Sequence, residues 1–287
     1  MDEAPRQHST EQRPGFLMSW RALSSVKIVV TVKLVPDTNA VKRIDPATKR
    51  LVRTGVETVI NPFDEYAIEA ALALKEKLGG DTTVTIFTMA AESGKEVVRK
   101  ALAMGADDAV MLSDAGLEGS DVWASAYAMA QALKKIGFDL IICGALAEDG
   151  NTGGLPNALS EYLGVPALTN ARHIEISDAK VKAQRETDSG YQVVTGALPM
   201  LMTVTMAVGE PRYASLKGIM GAKRKTTAVM ALSELGLEKA VGTGGAKTEV
   251  VEIAARPARG KARVEEAADG PAGAKIIFDF LKERKLL

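Results

Sequence analysis

The chain has 287 residues, of which 46% are hydrophobic and 25% charged, the composition of an ordinary globular protein. Its 36 basic and 36 acidic residues balance, so no net charge favours nucleic acid or an anionic membrane surface. No apolar run approaches the roughly 20 residues of a membrane-spanning helix. One cysteine and two histidines exclude a disulfide framework, leave little for a metal site and favour the reducing cytoplasm.

The amino-terminal part of the chain predicts an extension, a strand and a helix. Residues 1–25 are polar and lack the apolar core of a signal peptide, so we expect a disordered extension. Residues 26–35 (VKIVVTVKLV) are rich in β-branched side chains and predict a buried strand. After a long polar loop, residues 65–78 (EYAIEAALALKEKL) predict a helix with an alanine-rich buried stripe and Asp64 as its N-cap.

Strands and helices continue to alternate through the middle of the chain. The predicted strands are TTVTIFTM (82–89), DAVMLS (108–113) and FDLIICG (138–144), and the predicted helices are residues 93–106, 120–137 and 152–163. About four strand–helix repeats at this spacing predict an α/β fold with a doubly wound, mostly parallel, Rossmann-like sheet. In such sheets ligands bind at the carboxyl ends of the strands, near the point where the strand order reverses.

The last third of the chain has a different pattern. Turn signals at Ser177-Asp178 and at residues 188–190 separate β-rich stretches, which predicts an antiparallel addition to the sheet. Residues 226–287 have little apolar periodicity before a closing amphipathic helix, and we expect this C-terminal arm to lie on a partner chain. Residues 26–225 are then the predicted α/β nucleotide-binding domain.

The glycine-rich loop at residues 144–156 is the strongest candidate site. It matches neither GxxxxGK[ST] nor GxGxxG, which argues against P-loop ATP hydrolysis and a standard dinucleotide fingerprint. It does place a helix N-terminus at residues 151–154, where free backbone N–H groups can hold a phosphate without a basic side chain. The alternative is a tight turn in which Asn151 or Thr152 caps the helix, and spacing alone supports the two equally.

No other cluster in the sequence predicts catalysis. Cys143 has no histidine near it in sequence and is expected to be a core thiol rather than a nucleophile. Glu148 and Asp149 are adjacent, so their side chains point apart, which favours a solvated loop over an acid pair. The basic run GAKRK at residues 221–225 is either a solvated turn or a surface for an acidic partner. With no acid–base pair, the chain is not expected to be an enzyme by itself.

Separated blocks of the sequence together resemble the β subunit of electron transfer flavoproteins. In chain order they are VKLVPDT (32–38), GVETVINPFDEYAIEAALALKEK (55–77), ALAMGADDAVML (101–112), FDLIICG (138–144) with its DGNTG loop, QRETDSG (184–190) and PRYASLKGIMGAKRK (211–225). They cover nearly all of residues 26–225 in the family's order. ALAMGAD and PRYASLKGIMGAK form the most specific combination, and the closing arm is also similar.

The resemblance implies a role in electron transfer. The family pairs this chain with an α subunit, and the two hold one FAD near their interface. The heterodimer carries electrons from flavin dehydrogenases, such as acyl-CoA dehydrogenases, to a quinone reductase or another acceptor. The β subunit also buries a nucleotide of its own, which is AMP or, in electron-bifurcating members, a second FAD. The glycine-rich loop would then hold the phosphate of that nucleotide.

Carried over by position, the resemblance implies a nucleotide site and two further contacts. The residues expected to touch the nucleotide are Thr31, Asn61, Met89, Gly144, Asp149, Gly150, Asn151, Thr152 and Gly153. Thr38 is expected near the ring of the shared FAD. Leu216 is expected to insert into a pocket of a partner dehydrogenase, since one apolar anchor with a polar rim suits a transient contact.

The identity of the nucleotide stays open, because the sequence departs from the family around it. VPDT and Met89 are closer to the electron-bifurcating branch. Ala145, Gly153-Gly154 and Ala90-Ala91 replace a basic residue, a glutamine and a Gly-Pro pair of the family. Two alternatives therefore remain beside the AMP-type carrier. One is a bifurcating subunit with a second FAD, and the other is a nucleotide-binding regulatory protein of similar fold without redox work.

Overall fold

The computed structural model describes residues 25–237, 240–254, 260 and 262–287. The predicted extension at residues 1–25 lies outside the described residues except for its last residue. The chain divides into two compact units, the first ending at Val250 and the second covering Val251–Leu287.

The strands of the described residues all lie in the first unit. In chain order they are β1 (Lys27–Thr31), β2 (Leu34–Pro36), β3 (Ile44–Asp45), β4 (Arg50–Leu51), β5 (Thr58–Ile60), β6 (Thr83–Met89), β7 (Asp108–Leu112), β8 (Leu140–Gly144), β9 (Ala167–Ser177), β10 (Lys180–Thr187), β11 (Gly190–Ala197), β12 (Met200–Val204) and β13 (Thr227–Met230).

Helices connect most of these strands. In chain order they are α1 (Pro62–Leu78), α2 (Lys95–Met104), α3 (Val122–Ile136), α4 (Leu155–Leu163), α5 (Leu216–Ala222) and the short α6 (Gly242–Gly245). Single 3-10 turns lie at Glu92–Gly94, Ala115–Leu117, Met206–Val208 and Leu232–Glu234.

The described residues form a nine-stranded sheet in the order β11-β10-β9-β12-β8-β1-β6-β7-β13. Every neighbouring pair from β9 to β13 is parallel. At the other edge, β10 is antiparallel to both β9 and β11. The predicted α/β fold with a mostly parallel sheet and an antiparallel addition is therefore confirmed.

Helices cover both faces of the sheet because the central strands alternate their side chains between two cores. Ile28 and Val30 of β1 pack in the core that includes residues of α1, α2 and α5. Val29, between them, packs in the core of α3 and α4. All three side chains are at most 1% exposed, as expected for a parallel strand that is buried on both faces.

The strand order reverses between β1 and β8. After β1 the chain crosses through α1 to β6 on one side, and after β8 it continues through α4 to β9 on the other. The two strands are in register, with Val30 opposite Ile142. Their carboxyl ends therefore form the crevice where doubly wound sheets bind ligands.

The predicted hairpins are confirmed, with a turn geometry that the sequence explains. The turn between β9 and β10 places Asp178 and Ala179 at positive φ, 47° and 60°. A two-residue turn with positive φ at both positions matches the right-handed twist of the strands it joins. The result is the three-stranded antiparallel edge formed by β9, β10 and β11.

Two stretches depart from the sequence pattern. The single strand predicted at residues 26–35 is divided, because the chain turns after β1 and β2 pairs with β5 outside the main sheet. β13 pairs with β7 and extends the main sheet past residue 225. Its sequence TAVM is too short and too exposed to stand out from a loop.

The second unit contains the helix α7 (Gly270–Glu283). Asp269 caps it by accepting a hydrogen bond from the N–H of Ala272 at 2.8 Å. Ile277 and Phe278 of this helix are exposed. The expected packing of the arm on a partner stays a prediction. Among the described helices, none has the length and hydropathy that crossing a membrane requires.

Candidate functional site

The N-terminus of α1 lies at the crevice and carries two buried polar side chains. The helix begins at Pro62 with Asn61 at the N-cap, so the predicted N-cap, Asp64, is wrong. Asp64 is buried and accepts hydrogen bonds from the N–H of Lys33 at 2.8 Å and from Nδ2 of Asn61 at 2.9 Å. Because Lys33 follows β1, this carboxyl group ties α1 to the carboxyl end of that strand.

The environment of Asp64 favours the protonated form of its carboxyl group more than water does. Burial raises its pKa to about 7, although Asn61 and the N–H groups of Lys33 and Gly144 stabilise the charged form. The donors come from the segments after β1, before α1 and at the end of β8. One side chain therefore joins the three segments that border the crevice.

Asn61 connects the same corner to the glycine-rich loop. Its Nδ2 donates to the carbonyl oxygen of Leu146 at 2.9 Å, and its Oδ1 accepts from the N–H of Glu148 at 3.0 Å. Both Nδ2 hydrogens are used, one by Asp64 and one by Leu146. Asn61 therefore positions the loop, while the contact with a nucleotide that the resemblance implies stays a prediction.

Gly144 is required by packing between β8 and α1. A Cβ atom at this position would lie 2.5 Å from Oδ1 of Asp64 and 2.8 Å from both the carbonyl carbon and Cβ of Phe63. Real Cβ atoms do not approach other atoms this closely, so a side chain would force α1 away from the sheet. Gly144 thus lies at the candidate site. The close approach of α1, rather than a ligand, accounts for the absence of a side chain there.

Asp149 is buried and paired, so the expected solvated loop is wrong at this residue. Its side chain is 0% exposed and accepts from Nζ of Lys33 at 2.8 Å and from a guanidinium nitrogen of Arg53 at 2.5 Å. Burial alone would raise the pKa of Asp149, but the two cations outweigh it and hold the pKa below its usual value. The neighbouring Glu148 is tied to Lys42, whose Nζ donates to the Glu148 carbonyl oxygen at 3.0 Å. The loop is therefore fastened to the segment between β2 and β5.

The backbone amides at the start of α4 are unused by the protein. The N-cap is Gly154 and has no side-chain cap, so the alternative in which Asn151 or Thr152 caps the helix is wrong. Asn151 and Gly153 both have positive φ, 51° and 60°, which turns this part of the loop sharply before the helix. Within the described residues, the N–H groups of residues 152–155 have no protein acceptor. Successive unpaired N–H groups at a helix N-terminus form an anion-binding arrangement.

Two more predicted residues lie at neighbouring strand ends. Thr31 ends β1 and is 9% exposed, and Met89 ends β6 and is partly buried. β1 and β6 are adjacent and parallel, so these residues and the loop after β8 border one edge of the sheet. The structure therefore brings Thr31, Met89 and the amides of residues 152–155 to the same end of three adjacent strands.

The residues expected to contact the shared FAD and the partner lie on the surface. Thr38 is exposed in a turn that begins at Asp37, whose carboxylate accepts from the N–H of Asn39 at 2.7 Å. Leu216 is 75% exposed at the first position of α5. We call residues 211–225 the docking segment.

A cavity of about 680 Å³ opens at the N-terminus of α3. It is lined by the β3–β4 hairpin at residues 47–50, by residues 119–121 and by residues 243 and 246–250. Small-molecule sites commonly have volumes of about 300–1,000 Å³. None of the predicted site residues lines this cavity, which could not be predicted from the sequence because its three walls are far apart along the chain. Asp121 caps α3 by accepting a hydrogen bond from the N–H of Ala124 at 2.9 Å.

The fold and the crevice lie within a stretch that matches a known family. Residues 48–235, from the β3–β4 hairpin to the 3-10 turn after β13, match the model of the electron transfer flavoprotein domain. The chain is also 40% identical over 267 residues to the electron transfer flavoprotein subunit beta of Megasphaera elsdenii, which covers 90% of this chain and 97% of the relative. The chain belongs to the electron transfer flavoprotein β-subunit family.

Other β-subunit relatives show the same coverage. The electron transfer flavoprotein subunit beta of Mycobacterium tuberculosis is 38% identical over 91% of this chain and 99% of its own length. The caffeyl-CoA reductase-Etf complex subunit CarD of Acetobacterium woodii is 35% identical over 91% of this chain and 100% of its own length. The resemblance seen in the sequence blocks is thus confirmed.

The lone cysteine of the chain is buried in the core. Cys143 is 4% exposed at the end of β8, next to Thr31 of β1. Burial raises the pKa of its thiol to about 12, so the thiolate that a nucleophile needs is not formed near neutral pH. The expectation of a core thiol is confirmed. Among the described residues, no three His, Cys, Asp or Glu side chains converge as a metal site requires.

Proposed function

We propose that this electron transfer flavoprotein β subunit works as one half of a heterodimer with an α subunit. The two chains share one FAD, and the heterodimer carries electrons from flavin dehydrogenases, such as acyl-CoA dehydrogenases, to a quinone reductase or another acceptor. Family membership supports the redox role over the non-redox regulatory alternative. The FAD supplies the redox chemistry when bound, while this chain binds it, orients it and docks partners. A cytoplasmic location is part of the proposal and rests on the single cysteine.

The chain itself would bind a second nucleotide through the loop after β8. The observation that carries this proposal is the row of unpaired N–H groups at residues 152–155, at the crevice where the strand order reverses. Such amides suit a phosphate, because they combine several hydrogen-bond donors with the positive end of the α4 dipole. A Cβ atom at Gly150 would meet nothing within 4 Å, so the loop leaves room on its outer side. Lys33 and Arg53 lie beside it and both pair with Asp149, so the three side chains together carry one net positive charge.

A matched pair of variants at Gly154 tests the role of the amides. Its φ of −81° is close to that of proline, so Gly154→Pro removes one N–H group with little change in the loop. Gly154→Ala keeps that N–H group, and the added Cβ makes only ordinary contacts at 4.0 Å with Thr152 and Val122. Loss of one hydrogen bond to a charged group costs about 1.5–3 kcal/mol, roughly 10- to 150-fold in affinity. We expect this loss for Gly154→Pro only, measured as nucleotide retained by the purified heterodimer.

The nucleotide is AMP or a second FAD, and each identity has a different functional meaning. AMP would be structural, whereas a second FAD would make electron bifurcation possible. Bifurcation stays a candidate because the chain aligns over nearly its whole length with a relative named for a caffeyl-CoA reductase-Etf complex. Denaturing the co-expressed heterodimer and quantifying the released nucleotides separates the two. One FAD with one AMP excludes bifurcation, two FAD without AMP support it, and a colourless chain without an α partner contradicts the whole proposal.

The docking segment would contact the electron donor through Leu216. An exposed leucine at the start of a short helix can enter an apolar pocket without any rearrangement of the chain. Leu216→Ala is expected to slow electron transfer from a purified acyl-CoA dehydrogenase at least tenfold, while the flavin spectrum of the heterodimer stays unchanged. Equal rates for the variant and the parent protein would remove Leu216 from the docking site.

A further inference from the structure

The docking segment has an exposed apolar surface. Tyr213 is 94% exposed and Leu216 is 75% exposed, and Ile219 and Met220 are exposed as well. A surface of this kind on a mobile loop would lose conformational freedom when a partner binds, and that loss would weaken the complex. Contacts between the docking segment and the body of the protein would reduce this loss by holding the segment in one conformation.

Arg212, immediately before Tyr213, makes such a connection to α1. Its Nε and one terminal nitrogen donate to the two carboxylate oxygens of Glu69, at 2.8 and 2.9 Å. Its terminal nitrogens also donate to the carboxylate of Glu76, at 2.5 and 3.2 Å. The backbone N–H of Arg212 donates to Glu69 as well, at 3.0 Å. One guanidinium group is thus held by two carboxylates that lie seven positions apart on the helix.

The two carboxylates differ in exposure, and this difference predicts which one matters. The side chain of Glu69 is 15% exposed, and that of Glu76 is 63% exposed. Exposed ion pairs contribute little because water and salt screen them, whereas a two-pronged contact in a partly buried place is stronger and fixes geometry. Hydrogen bonds from Arg212 lower the pKa of both glutamates. The inner contact with Glu69 should therefore carry most of the effect.

Two further contacts hold the other end of the segment on α2. Gly218 lies so close to the end of α2 that an added Cβ would be 2.2 Å from the carbonyl oxygen of Ala103. Nζ of Lys225 donates to the carbonyl oxygen of Ala106, just beyond the same helix. Ser215 caps α5 by accepting from the N–H of Gly218 at 3.0 Å. Between Arg212 and these contacts, the apolar residues are left facing outward.

We propose that Arg212 is a positioning residue that fixes the docking segment in one conformation before a partner arrives. The proposal rests on the docking role proposed for Leu216. Arg212 itself is turned toward α1 and does not belong to the exposed apolar surface. Lysine cannot replace it, because an ammonium group lacks the planar fork that bonds both oxygens of Glu69 while also reaching Glu76.

Hydrogen exchange of the purified heterodimer, followed by mass spectrometry, tests the proposal directly. Arg212→Lys and Glu69→Gln should speed amide exchange in residues 213–222 by about tenfold or more, the factor for one lost hydrogen bond to a charged group. Glu76→Gln should change it less than threefold. Arg99→Lys, on the exposed face of α2, is the matched control and should change nothing. Unchanged exchange in Arg212→Lys, or equal acceleration throughout the chain, would overturn the proposal.

A second readout separates positioning from a purely structural role. With a purified acyl-CoA dehydrogenase as electron donor, Arg212→Lys should raise the apparent KM for the heterodimer several-fold at nearly unchanged kcat, since the anchor itself is intact. Leu216→Ala should slow electron transfer without any change in exchange of the docking segment. If Leu216→Ala has no effect on electron transfer while Arg212→Lys speeds exchange in the docking segment, the docking role of Leu216 fails and the positioning role of Arg212 stands. If Leu216→Ala slows electron transfer while Arg212→Lys leaves exchange unchanged, the docking role stands and the positioning role fails.

Discussion

Gly144→Ala tests whether the glycine at the end of β8 serves helix packing. The new methyl group would lie 2.5 Å from Oδ1 of Asp64 and 2.8 Å from the carbonyl carbon of Phe63. The second of these is a backbone atom at the start of α1, so relief requires the helix to move. Overpacking of this kind costs about 1–3 kcal/mol.

Movement of α1 would also weaken the stabilisation that the N–H of Gly144 gives to the charged carboxylate of Asp64. The overpacking alone predicts a loss of about 1–3 kcal/mol in the free energy of unfolding. For a chain of this size, a loss of that order lowers Tm by roughly 2–12 °C.

Thermal unfolding of the purified protein with and without added nucleotide measures the effect. Gly150→Ala is the matched control, because its Cβ would meet nothing within 4 Å and its φ is not positive. We expect its Tm to change by about 2 °C or less, the range for a surface substitution. If Gly144→Ala unfolds at the parental temperature and only nucleotide affinity falls, the packing explanation is refuted and Gly144 is a ligand contact.

Three further predictions concern the buried titratable groups. Asp149→Asn should destabilise the protein by about 1–2 kcal/mol at pH 7. Because the pKa of Asp149 is depressed in the folded protein, this stabilisation is fully present above the ordinary pKa of about 4 and is lost as the pH falls from there through the folded value, so urea titrations should show the difference shrinking as the pH falls below about 4. Asp64 has a pKa of about 7 in the folded protein, so the free energy of unfolding of the parent protein should fall by up to about 4 kcal/mol between pH 4 and pH 7. Asp64→Asn should lack this pH dependence. The same pH dependence in both proteins would contradict the role of Asp64. Cys143 should react with iodoacetamide only on unfolding, so labelling of the native protein within minutes at pH 8 would show that the thiol is not buried.

Local patterns were enough to predict the fold. β-branched runs such as residues 138–144, alternating with helical stretches that begin at capping residues and end at glycine, specify a parallel sheet because each signal is complete within a few residues. The turn at Asp178 was predictable for the same reason. β13 was not predictable, since it has only four residues and most of them are not buried, which is too few to form an alternating apolar pattern.

The details of the candidate site depend on contacts between distant residues, and these were not predictable. The sequence predicts Asp64 as a helix cap. In the structure its buried carboxylate instead accepts a hydrogen bond from the backbone N–H of Lys33, 31 positions away. The sequence predicts a solvated Asp149. In the structure its carboxylate is buried and paired with Lys33 and Arg53, which lie 116 and 96 positions away along the chain. The glycine-rich loop was recognisable as a candidate site because its signal is local. Which of its groups are used by the protein, and which are left for a ligand, follows only from the packing of the segments between β2 and β5.

The central claim is that the amides of residues 152–155 hold the phosphate of a nucleotide bound by this β subunit. A crystal structure of the co-expressed heterodimer with its native nucleotides tests it most directly. The account predicts phosphate oxygens about 2.7–3.2 Å from the nitrogens of at least two of these residues, with Asp149 still paired to Lys33 and Arg53. A nucleotide whose phosphate lies elsewhere, for instance in the cavity at the N-terminus of α3, with these amides bound to water, would contradict it.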